Sequence, residues 1–75
     1  MTNIVVVFGA KLDAAQAEMT RSVVELADAG KGVLASELIE KMKKLGYNEG
    51  LAVAARELGK LGRDSLASEA INALE

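Results

Sequence analysis

Seventy-five residues make one small domain, close to the size at which a single core only just holds a chain together. The absence of cysteine and histidine excludes disulfides, thiolate metal sites and the commonest general base, so any metal would need carboxylates alone. The net charge of -2 hides an asymmetry: residues 31–63 hold seven basic against four acidic side chains, while both ends are acidic.

In chain order, Ile4-Val5-Val6-Val7-Phe8 is β-branched and apolar and predicts a strand, bounded by Thr2-Asn3 and Gly9. With no second strand expected, residues 1–11 read as an extended arm that pairs across a homodimer, pairs with a partner protein, or lies along the helices. Helix 1 has a readable start, with Asp13 as N-cap, Gln16 completing a capping box and Leu12 stapling onto Ala17. Its apolar line is Leu12, Ala15, Met19, Val23 and Leu26. Gly30 and Gly32 end it with positive φ.

Helix 2 is predicted from about Val33 to Leu45, with Leu34, Leu38, Met42 and Leu45 on its apolar face. Gly46 closes it, and Asn48 caps a third helix carrying Leu51, Ala55, Leu58 and Leu61. Gly62 ends that helix, and Asp64 or Ser65 caps a fourth, with Leu66, Ala67, Ala70, Ile71 and Leu74 apolar. No run is long and apolar enough to cross a bilayer, and the start lacks the pattern of a secretory signal. The chain therefore reads as soluble and intracellular, without a membrane partner.

An internal repeat underlies this pattern. Leu34, Ala35, Ser36, Glu37 and Ile39 recur 32 residues on as Leu66, Ala67, Ser68, Glu69 and Ile71, and the same offset pairs Met19 with Leu51, Leu26 with Leu58 and Gly30 with Gly62. A gapless repeat of this length centred on a glycine predicts a helical hairpin stacked on a copy of itself. The fold class is therefore all-α: residues 12–75 form one domain of two antiparallel hairpins, about 13–45 and 48–74. Ala35 and Ala67 follow their turn glycines by five residues, where a small side chain lets two helices approach.

Ala29-Gly30-Lys31, Ala35, the run Glu37 to Lys44 and Gly46-Tyr47 resemble the second half of a pentatricopeptide repeat. The resemblance covers residues 16–47 well and 48–74 less well, and the related tetratricopeptide repeat shares the glycine-to-alanine spacing. The pentatricopeptide resemblance implies an organellar protein that binds single-stranded RNA, with Thr20 facing a base in the first unit and Ala52 in the second. Lys41, Lys44, Arg56, Lys60 and Arg63 would then contact phosphate. The tetratricopeptide resemblance implies instead a peptide or protein ligand; the alternative reading is an adaptor or small regulator docking on a larger protein, with Phe8, Met42 and Tyr47 as apolar anchors.

Three local patterns compete with this reading. Val-Val-Val-Phe-Gly-Ala resembles the first strand of a nucleotide-binding fold but lacks the later glycines, and Leu61 to Leu66 is similar to the phosphopantetheine site of carrier proteins but stands too near the chain end. Ala55 to Gly59 followed by helix 4 resembles a DNA-binding helix-turn-helix, yet Ser65, Ser68, Glu69 and Asn72 include no cation for a phosphate-lined groove. The expectation is a non-enzymatic binding module without cofactor or metal. Its partner is single-stranded RNA or, alternatively, a larger protein.

Overall fold

The computed structural model describes residues 3–75. It is mostly helical with a small two-stranded antiparallel sheet at the N-terminal end: β1 (Ile4–Val7), β2 (Ala10–Asp13), α1 (Ala14–Asp28), α2 (Gly32–Leu45), α3 (Asn48–Lys60) and α4 (Asp64–Asn72). Within 1–11, Met1 and Thr2 lie outside the described residues.

The expectation of a lone strand is corrected. β1 turns back through Phe8-Gly9, both at positive φ as a two-residue hairpin turn requires, and pairs with β2 from Ile4 opposite Asp13 to Val7 opposite Ala10. A donor from Ala14 N to Asn3 O at 2.8 Å extends the ladder. β1 is thus paired along one edge inside the chain and is not the lone strand on which the homodimer through the arm was expected. The boundary between arm and helical domain, placed after residue 11, falls inside β2.

Asp13 belongs to both parts. It closes β2 and caps α1, its carboxylate accepting from Gln16 N at 3.0 Å and from Gln16 Nε2 at 3.1 Å. The expected N-cap forms, but not the reciprocal half of the capping box: Gln16 Oε1 accepts from Gly50 N rather than from the backbone N–H of Asp13. Both bonds to Asp13 hold its carboxyl below its ordinary value, the backbone donor contributing most.

The three turns between helices share one hydrogen-bond pattern. Gly30 N donates to Ala27 O, Lys31 N to Leu26 O and Ala35 N to Lys31 O; the same triplet recurs at Gly46, Tyr47 and Leu51, and again at Gly62, Arg63 and Ala67. Each glycine sits at a φ of 72–78°, closing its helix with the paired bonds of a Schellman motif. The residue after it becomes the start of the next helix. This leaves no place for a side-chain cap: Asn48 and Asp64 are the first helical residues, and no side chain caps α2, α3 or α4. Gly32 likewise lies inside α2 and has no positive φ.

α1 packs against α2 and α3, and α4 packs against α3 and α2. The main core joins Val23, Ala27, Ala35, Ile39, Met42, Leu51, Ala54, Leu58, Ala70 and Ala73. A second cluster of Val7, Leu12, Ala17 and Val53 seats the β-hairpin on α1 and α3, with Leu12 and Ala17 forming the expected staple. The expected apolar faces are offset from the real ones. α2 turns Ala35, Ile39 and Met42 inward and leaves Leu34 and Leu45 exposed, and α1 buries Thr20, Val24 and Ala27 in place of Ala15 and Met19. Alanine seams win because they allow the closest approach of helix axes, giving the larger side chains on the neighbouring stripe no room inside.

Candidate protein-interaction surface

The residues expected to meet RNA are placed differently from one another. Thr20 is corrected outright as a base reader: it is fully buried, and its hydroxyl donates to Gln16 O at 2.8 Å. Arg56 is turned onto the β-hairpin, its Nη2 donating to Phe8 O at 2.5 Å and its Nε pairing with Glu57 at 3.1 Å. Lys60 also pairs with Glu57, at 3.1 Å, and these cations, Lys60 foremost, hold the Glu57 carboxyl below its ordinary value. Lys41 and Lys44 are exposed on α2, while Arg63 lies beyond the far end of α3. Thirteen helical residues, about 20 Å along the axis, separate the two turns that flank α3.

The expected protein anchors fare unevenly. Met42 is corrected, being wholly buried in the core. Tyr47 is half-buried, packing on the core at the turn between α2 and α3, and Phe8 is partly exposed at the tip of the β-hairpin. Gly30, Gly46 and Gly62 occupy their turns, Ala35 is buried and Ala67 is partly so.

Between the β-hairpin and α1 and α3 runs a cleft of about 430 Å³, with Val7 and Val24 at its base and the charged side chains Arg21, Glu25, Asp28, Glu57 and Lys60 around it.

The residues that hold α1 and α2 against α3 and α4 were harder to read in the sequence. Gly50 N donates to Gln16 Oε1 at 2.6 Å, and a Cβ at Gly50 would meet Thr20 Oγ1 at 2.6 Å and Met42 Cε at 2.8 Å. A glycine near the start of a helix, away from any turn, is the signal of such a close approach. Further along, Ser36 Oγ donates to a Glu69 carboxylate oxygen, tying α2 to α4.

No known protein family, characterised protein or solved structure matches this chain. Its surface must speak for itself.

The most distinctive surface feature is apolar. At the open side of α3 and α4, Ala52 and Gly59 are exposed, Ile71 is 56 % exposed and Leu74 38 % exposed. On the opposite side, Leu34 and Leu45 are exposed, and Leu26 and Leu38 line a shallow groove with Ser22. Among the described residues no helix is long and apolar enough to cross a membrane.

Proposed function

We propose that this chain is a non-catalytic protein-docking module made of two helical hairpins stacked at a 32-residue repeat, and that its two apolar end faces are the docking surfaces. The stacking is the arrangement that the pentatricopeptide and tetratricopeptide resemblances imply, and the shared hydrogen bonds of its turns support it. Of the two ligand classes, a protein suits the surface better than RNA.

One observation carries this reading. The residues that the first hairpin buries against the second have apolar counterparts, 32 positions on, that stand open. Ile39 and Met42 are wholly buried while Ile71 and Leu74 are exposed, and buried Thr20 and Ala27 become exposed Ala52 and Gly59. The α3–α4 hairpin keeps on its open face the apolar composition that the first hairpin buries, as a surface that is to be covered does.

The test sets the physics of the two ligand classes against each other. In affinity capture, a protein partner should be retained at high salt and lost with Ile71→Asp, while a labelled single-stranded oligonucleotide should show no binding at low salt. Oligonucleotide binding that falls steeply with salt, with a slope flattened by Lys44→Ala and Arg63→Ala, would return the function to RNA.

A further inference from the structure

The end faces also match each other. We infer that their partner is a second copy of this chain, stacked head to tail so that the α3–α4 face of one copy receives the α1–α2 face of the next. This rests on the docking reading above and names its partner.

The interface already present within the chain supplies the template. On its forward side, α1 and α2 offer Thr20, Val23, Ile39 and Met42; on its receiving side, α3 and α4 offer Leu51, Ala54, Leu58 and Ala70, and all eight are buried. Adding 32 to the first set yields Ala52, Ala55, Ile71 and Leu74. Subtracting 32 from the second yields Met19, Ser22, Leu26 and Leu38. Both derived sets keep the apolar or small character of their templates, and none of the eight is buried. The second set also collects the stripe that the sequence alone suggested for the core.

A polar contact recurs with them. Ser36 on the forward side bonds Glu69 on the receiving side, and the Ala-Ser-Glu triplet occurs in both hairpins. Ser68 of one copy therefore stands where it donates to Glu37 of the next, and both side chains are exposed in the single chain.

The β-hairpin leaves this arrangement free, since it is seated on Ala17 of α1 and Val53 of α3 rather than on either end face. A head-to-tail interface of this kind is heterologous, so it does not close at a dimer and builds an open stack.

The experiment is sedimentation velocity on the intact chain over about a hundredfold range of concentration, with two blocking variants whose folding is checked by circular dichroism. Ile71→Asp puts a charge on the forward face, and Ser22→Arg puts one on the receiving face, where Ala54 marks a fully buried position. The wild-type sedimentation coefficient should rise with concentration without a plateau at dimer. Each variant alone should stay monomeric, and their equimolar mixture should form dimers and nothing larger, because only one good junction remains. Ser68→Ala should weaken association about tenfold, as expected for losing a hydrogen bond to a carboxylate.

A wild-type chain that is monomeric throughout, a mixture that does not dimerise, or a Ser22→Arg variant that dimerises alone through face-to-face contact would each overturn the proposal. A monomeric wild type that still captures another protein through Ile71 overturns self-stacking and leaves the docking reading standing. Loss of both removes the two together.

Discussion

Asp13 closes a strand, caps a helix and fixes the join between them. Its folded carboxyl is held below the ordinary 3.8, so the ionised form is the one that folding favours. The stability it contributes is complete above the ordinary carboxylate range and is lost as pH falls through its lowered folded value. Glu57, lowered first by Lys60 and then by Arg56, acts in the same direction and the same acid window. Urea midpoints followed from neutral to acid pH should therefore fall, and Asp13→Ala should lower the midpoint at neutral pH and shallow that fall. Gly50 provides a second test at this scale. Its Cβ space is filled by Thr20, Gln16 and Met42, so Gly50→Ala should destabilise by about 1–3 kcal/mol in denaturant titration even though alanine is the better helix former.

Among the elements, the β-hairpin is the one whose contribution the structure revises most. Val7 and Leu12 form a cluster with Ala17 and Val53, so β1 and β2 act as a lid on α1 and α3 rather than as a free arm. Removing residues 1–9 should lower the melting temperature by stripping Val7 from that cluster, and an unchanged melt would show the hairpin to be dispensable. Leu12→Ala should cost about 2–5 kcal/mol by the same loss of packing. Phe-Gly is an unusual pair for a two-residue turn, because Phe8 must adopt a φ of 49° without the tolerance of Asn or Gly. That weak turn signal, together with the low strand preference of Ala-Lys-Leu-Asp, hid β2 from a reading of the sequence.

At the scale of the whole molecule, a small core and two open apolar ends are linked. A chain of this size gains little from its own interior, and covering Ile71, Leu74, Leu34 and Leu38 by another copy would add to it. Association that binds the folded state alone stabilises by mass action. The melting temperature should therefore rise with protein concentration in scanning calorimetry, and Ile71→Asp should abolish that dependence while keeping the helical signal.

The sequence by itself determined the four helices, their ends at Gly30, Gly46 and Gly62, the N-cap at Asp13 and the 32-residue correspondence between residues. These follow from local chemistry: a glycine with no Cβ enters the left-handed region freely, and a carboxylate three residues before a backbone N–H caps it. Tertiary structure alone decided which apolar stripe faced inward. α1 and α2 each carry two, and the alanine-bearing stripe was buried because it brings helices closest, leaving Met19, Leu26 and Leu38 half-buried against the core's edge and Leu34 exposed. The same choice buried Thr20, which the pentatricopeptide resemblance had marked for a base, and Met42, expected as an apolar anchor. Periodicity states that a helix has an apolar side, but a helix with two such sides is resolved only by what packs against it.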